Sequence, residues 1–349
     1  MSTKAQILLL TALMIYSSIC LSEDQSALQL DANGLAESDQ IPGIALATGS
    51  CDSSYSAVSG VIKLGTAIKV TQESKFNLGS NSKSILATAA AVAEQNKQIV
   101  INKAQYGDYK ATLENYLTHT SGLPAFSSGK ELNQVDIPHN TKNKAKYFAT
   151  FVMTKADESK IGTMLYSNAG YVVAGQILNE TLHKPWYSVI NTSLFGPLDI
   201  EASLGDGQSE IDAIGHYTDG GLKPYELNEP AIPEYLEAAG NISMSINDYS
   251  KYLKFHLCGL TGKDSSILSS KKVQMLHKPY QETGSAMGWG VSEIEGHQTS
   301  FHIGGTGTFI SVAAIVPSKN YFNIILINNG SGEAKSLAVS WVLQQIKNL

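Results

Sequence analysis

The sequence predicts a mixed α/β chain: one sheet built from both ends of the polypeptide, with a helical region inserted between them. Three observations carry this. Runs rich in β-branched and aromatic residues lie near the amino end and return after residue 285; an Ala-rich stretch follows Ser80; and the long middle mixes helical stretches with polar loops. The sheet is assigned to about residues 38–80 and 285–349, and the helical region to about 100–280.

Taken in order, Ile41–Ala47 is an apolar run, residues 49–54 carry turn chemistry, and Tyr55–Lys69 alternates loosely, so strands are predicted there. Ser84–Asn96 holds Ile85, Leu86, Ala89, Ala90 and Val92 and reads as a buried helix. Lys142–Thr154, Asn168–Thr181 and Ile246–Leu257 have helical spacing, whereas Thr218–Pro233, with two glycines and three prolines, reads as loop. Strands are predicted at Ala286–Ile294, Thr308–Pro317 and Tyr321–Asn329, with Pro317–Asn320 as a hairpin turn between the last two. Gly332–Lys347 closes the chain as a helix.

Composition excludes several functions. A hydrophobic fraction of 43% with 16% charged residues is that of a folded chain. The net charge of −6, without basic runs, argues against nucleic-acid binding. All 25 basic residues are lysines, so no planar bidentate clamp for a carboxylate or phosphate exists anywhere in the protein. The eight histidines are scattered, and no metal site is expected. Lys4 followed by the apolar Ile7–Tyr16 reads as a secretory signal over residues 1–22, cut after Cys20 or Ser22; its apolar stretch is too short to span a bilayer. The mature domain is then 23–349, secreted or periplasmic, with no stable membrane span. In that compartment Cys51 and Cys258 either pair or remain free thiols.

Three short motifs carry chemistry. Ser80-Asn81-Ser82-Lys83 places a hydroxyl and an amine one helical turn apart on one face. A serine at a helix start has a free backbone N–H and the positive end of the dipole beside it, and both stabilise an oxyanion. Lys83 can take the hydroxyl proton only when neutral. Tyr166-Ser167-Asn168 adds a phenol, able to act as acid or base if Lys83 or His302 lowers its pKa, and an amide that can hold Lys83 through its oxygen and a substrate carbonyl through its nitrogen. His302-Ile303-Gly304, placed between strands and followed by Gly305, offers an imidazole and a glycine backbone that a substrate can approach closely. Each motif alone is weak: Ser127/Lys130 and Ser269/Lys272 repeat the first spacing.

In this order the motifs resemble those of the penicillin-recognising serine hydrolases, in the branch of class C β-lactamases, D-alanyl-D-alanine carboxypeptidases, D-aminopeptidases and β-lactamase-like esterases. Leu117-Thr118-His119-Thr120-Ser121-Gly122-Leu123-Pro124 resembles the signature loop of that branch, Gly240–Asp248 its glycine–serine–helix stretch, and Met287-Gly288-Trp289-Gly290 the strand before the third motif. The resemblance spans about residues 38–348. It implies a mostly antiparallel sheet flanked by helices, with the site in the cleft beside the helical region. It also implies Ser80 as the acylated nucleophile, Lys83 and Tyr166 sharing the proton work, Asn168 positioning Lys83 and the substrate, His302 at the usual lysine position, and an oxyanion hole at the N–H groups of Ser80 and Gly305 next to Gly304.

Two departures bear on substrate. Ile303 stands where a threonine or serine usually helps bind a carboxylate, and His302 is largely neutral near pH 7 unless a partner raises its pKa. The expected activity is carboxypeptidase- or amidase-like cleavage of an amide or ester through an acyl-enzyme on Ser80, without metal or cofactor. The expected substrate is a small molecule or a peptide of D-amino-acid or cell-wall type. A carboxylesterase, a β-lactamase and a non-catalytic penicillin-binding-like protein are the alternatives.

Overall fold

The computed structural model describes residues 25–37, 41–227 and 231–349. The expected signal segment lies outside them. Residues 25–36 form helix α1, which the sequence reading did not assign. Strands β1 (Gly43–Gly49) and β2 (Ser54–Gly60) follow as a hairpin, then helix α2 (Ser82–Gln95). The middle of the chain holds α3 (Asn168–Leu182) and α4 (Ile246–Leu260) among shorter helices. Strands β3 (Ser285–Ala286), β4 (Trp289–Ile294), β5 (His297–Gly305), β6 (Ile310–Val316) and β7 (Tyr321–Ile327) lead to the closing helix α5 (Gly332–Lys347).

These strands form one seven-stranded sheet in the order β3-β4-β5-β6-β7-β1-β2. Every neighbouring pair is antiparallel. The β1–β7 pair, with Leu46 opposite Ile325, joins the two ends of the chain. Both faces of the central strands are buried, so strict polar alternation is lost and residues instead alternate between two cores. Ile44, Leu46, Val312, Ala314, Ile325 and Ile327 face the cluster made with Leu28 and Ala32 of α1 and Trp341, Val342 and Ile346 of α5. Ala45, Ala47, Ala313, Ile315, Ile324 and Leu326 face the larger cluster that includes α2, α3 and α4. The Trp341 indole N–H donates to Asp31 Oδ2 at 2.9 Å and fastens α5 to α1.

The helical region is more broken than its sequence suggests. It carries the strands Ala202–Leu204 and Ile242–Met244, which join Phe76–Asn77 in a three-stranded sheet, and two small hairpins. One hairpin, His216–Thr218 with Leu222–Pro224, falls where loop was expected, because Gly220 and Gly221 supply the turn. The second predicted strand ends at Gly60, and Val61 and Lys69 meet only as an isolated bridge. The single strand expected at Ala286–Ile294 is cut by Gly288, where φ is +80° and a Cβ would lie 2.4 Å from Ser84 Cα. His302, expected between strands, lies within β5; polar and apolar residues mix in that strand because one face meets the active-site cleft. Cys51 and Cys258 are joined as a disulfide between the β1–β2 turn and α4.

Candidate active site

Ser80 sits in a tight turn, Gly79–Asn81, between the strand Phe76–Asn77 and α2. It is not the helix cap; that position falls to Asn81, whose side chain is committed elsewhere. The Asn81 amide donates to Ser311 Oγ at 2.6 Å and accepts from the Tyr249 hydroxyl at 2.7 Å, pinning the turn to β6 and α4. On the other side Asn77 Oδ1 accepts the Gly79 N–H at 2.8 Å. Ser80 is thus held on a segment anchored at both ends, which limits the entropy a reactive geometry would have to lose.

Two groups converge on Ser80 Oγ. Lys83 Nζ is 2.9 Å away and the Tyr166 hydroxyl donates to it at 2.7 Å. Lys83 is fully buried, and its second contact is with the Ala239 carbonyl at 2.6 Å. Among the described residues no carboxylate offsets its charge, and burial drives its pKa well below the ordinary lysine value. A neutral amine can keep one N–H on the Ala239 carbonyl and turn its lone pair to the Ser80 hydroxyl. Tyr166 moves the opposite way from expectation: burial raises its phenol to about 12, with the Ser80 hydrogen bond opposing that rise. It stays protonated and is suited to donate.

The sequence reading gave His119 no role, yet it grips Tyr166 from three directions. Its carbonyl accepts the Leu165 N–H at 2.8 Å, its Nδ1 accepts the Ser167 N–H at 3.0 Å, and its ring lies 4.3 Å from the phenol ring. Accepting at Nδ1 places its proton on Nε2. Burial, then the neighbouring Lys83 and His302, hold His119 well below the ordinary histidine pKa. Its backbone is left-handed, with φ at +60°. The only signal in the sequence was its place in the signature loop.

Asn168 opens α3, where Ser167 Oγ accepts the Gly170 N–H as the cap. The amide does not hold Lys83 as expected. Asn168 Nδ2 donates to the Phe126 carbonyl at 3.0 Å, and the backbone carbonyl of Ala239 takes the role foreseen for its side-chain oxygen. Asn168 nevertheless lines the same pocket of about 370 Å³ as Ser80, Gly305 and Thr306. Gly304 does not line it. It is buried behind the strand end, where a Cβ would lie 2.1 Å from the Leu78 carbonyl oxygen, so it acts as a spacer. Gly305 meets the nucleophile turn directly: a Cβ on Gly79, whose φ is +51°, would sit 2.6 Å from the Gly305 nitrogen. The Ser80 and Gly305 backbones therefore border one pocket, as a two-donor oxyanion hole requires.

His302 is buried, with Nδ1 2.7 Å from the Gly288 carbonyl oxygen. A carbonyl can only accept, so Nδ1 carries the proton and Nε2 holds a lone pair. Burial first, then Lys83, push its pKa down to about 4, with the Gly288 hydrogen bond opposing. At neutral pH it is an acceptor, not the cation its motif position suggests. His302, Tyr166 and His119 line a second pocket of about 330 Å³.

A serine hydroxyl contacted by a buried amine and a protonated phenol, set beside an antiparallel sheet flanked by helices, is the arrangement of a serine hydrolase of the β-lactamase fold. The chain belongs to the Beta-lactamase family, whose model matches residues 29–345. It is 23% identical over 333 residues to penicillin-binding protein 4 of Amycolatopsis lactamdurans, covering 85% of this chain and 84% of that one. Its fold is similar to that of D-amino acid amidase from Ochrobactrum anthropi SV3, with a TM-score of 0.74 at 20% identity, covering 93% of this chain and 99% of that one. A class C β-lactamase from Rhodobacter sphaeroides superposes with a TM-score of 0.72 at 19% identity, over 90% and 97% of the two chains. Members of this family act on amides and esters. Among the described residues no helix is long and apolar enough to cross a membrane.

Proposed function

We propose that this protein cleaves an amide or ester through an acyl-enzyme on Ser80, and that it acts as an exported amidase on a small molecule or peptide of D-amino-acid or cell-wall type. The observation that carries the reading is the convergence of Lys83 and Tyr166 on Ser80 Oγ at 2.9 and 2.7 Å. The O. anthropi amidase and the A. lactamdurans penicillin-binding protein support the substrate class. The leader-like first 22 residues and the Cys51–Cys258 bond support export to an oxidising compartment.

In the acylation step Ser80 Oγ attacks the carbonyl carbon and its proton passes to Lys83 Nζ. The oxyanion is received by the N–H groups of Ser80 and Gly305. The C–N or C–O bond then breaks, and the Tyr166 phenol delivers a proton to the departing nitrogen or oxygen. Lys83 returns its proton to Tyr166. A water molecule next attacks the ester carbon as Lys83 takes its proton; the bond from that carbon to Ser80 Oγ then breaks, Lys83 passes the proton to Ser80 Oγ, and the acid is freed.

The test is labelling by a fluorophosphonate, read by intact mass and peptide mapping. Ser80→Ala is expected to abolish the adduct and lower turnover by about 10⁴-fold or more, as loss of a nucleophile does elsewhere. Ser269→Ala, which only shares the motif spacing, is expected to label like the wild type. An adduct persisting in the Ser80 variant would refute the assignment.

A further inference from the structure

Two pockets meet the group around Ser80: Ser80 lines one, and Tyr166, whose hydroxyl donates to Ser80 Oγ at 2.7 Å, lines the other. The pocket that holds Ser80, Asn168 and Gly305 contains the groups that receive the carbonyl, so it takes the acyl part. The other pocket is bordered by Tyr166, which protonates what departs, so it faces the leaving group. Its walls include Met164, Trp289, Phe301 and Ile303, and among the described residues no lysine, aspartate or glutamate lines it.

Its two imidazoles add no charge. The tautomer fixed by Gly288 leaves His302 with a lone pair on Nε2, which repels an anion and accepts an N–H or O–H. The lysine of the catalytic group lies behind the phenol, 5.0 Å from the Tyr166 ring centre, and is bonded to Ser80 Oγ and the Ala239 carbonyl. The chain contains no arginine. A carboxylate brought into this pocket would lose water and gain no cation, whereas an alkyl or aryl group would gain apolar contact.

We infer that this pocket is a leaving-group subsite for an uncharged, apolar amine or alcohol portion, so the substrate is not one that ends in a free carboxylate on that side. The inference rests on the acyl-enzyme reading and sets amidase- or esterase-like cleavage against carboxypeptidase-like cleavage. Selection arises on both counts, from apolar walls that favour a neutral group and from the missing cation that disfavours an acid.

The experiment compares two acetate esters that share the acyl group and differ only in charge on the leaving phenol: 4-acetoxybenzamide and 4-acetoxybenzoate. Each kcat/KM is divided by the rate constant for hydroxide-catalysed hydrolysis of the same ester, which removes the intrinsic difference between the phenols. The neutral ester is expected to be favoured by about tenfold or more, since the site leaves the carboxylate unpaired. Met164→Lys, at a position 43% exposed on the pocket rim, supplies the missing cation without disturbing the core and is expected to close most of that gap. Equal or better use of the benzoate by the wild type would overturn the inference. So would a gap that Met164→Lys leaves unchanged. Fluorophosphonate labelling of Ser80 on the same samples separates the two levels. Loss of labelling strikes the acyl-enzyme reading itself, whereas normal labelling with the wrong leaving-group preference strikes only the subsite.

Discussion

Lys83, and not His302, sets what pH should do. A lysine whose folded pKa is depressed gains its proton as pH falls, and the protonated form cannot accept from Ser80. Activity therefore climbs as pH rises through the lowered Lys83 value. His302, pushed down to about 4, is already neutral across the usual histidine range. We expect kcat/KM measured from about pH 5 to 8 to show no descending limb from histidine. A decline across that window would mean that His302 works as a cation. The residue scale also separates what spacing can reveal from what it cannot. Ser80 and Lys83 were legible because three residues is one helical turn. Ala239 was not, because the group it offers is a backbone carbonyl that any residue would carry. His119 was not, because its hold on Tyr166 depends on a left-handed backbone and on a loop that returns from a distant part of the sequence.

At the scale of elements, the catalytic cleft depends on how closely β5 approaches the turn before α2. Glycine at 304 and 79 removes the side chains that would hold these backbones apart. Gly304→Ala places a methyl group against the Leu78 carbonyl and Ser311 Oγ. It is expected to cost about 1–3 kcal/mol of stability by overpacking, and to lower kcat by moving Gly305 away from Ser80. Thermal unfolding together with steady-state kinetics checks both effects. A variant with unchanged Tm and kcat would show that the strand end has more freedom than this contact allows. The long helices and most strands of the sheet were visible from periodicity, since each buries a continuous face. The short strands Phe76–Asn77 and Ile242–Met244 were not, since two or three residues carry no period.

For the molecule as a whole, one covalent link spans 207 residues of sequence and ties the first hairpin to α4. Removing it frees the unfolded chain far more than the folded one. The double variant Cys51→Ala/Cys258→Ala is expected to lose about 2–4 kcal/mol in a urea titration. A midpoint and slope equal to those of the wild type would show that the bond adds nothing to equilibrium stability. The link also bears on the division of the core. The sheet is shared between the amino-terminal hairpin and five carboxy-terminal strands, so the two ends must fold together before either face is covered.

The sequence by itself determined the class of fold, the pairing of Ser80 with Lys83 one turn on, and the absence of any arginine. Each of these is local: a spacing, a period or a composition. Only the tertiary structure decided that Tyr166 stays a phenol, that His302 is a neutral acceptor and that Asn168 does not hold Lys83. It also decided that, among the described residues, no lysine, aspartate or glutamate lines the pocket beside Tyr166 and His302. Those properties follow from burial and from partners far away in sequence, such as Gly288 for His302 and Phe126 for Asn168. Desolvation and long-range hydrogen bonds set protonation states, and neither is written in the spacing of residues along the chain.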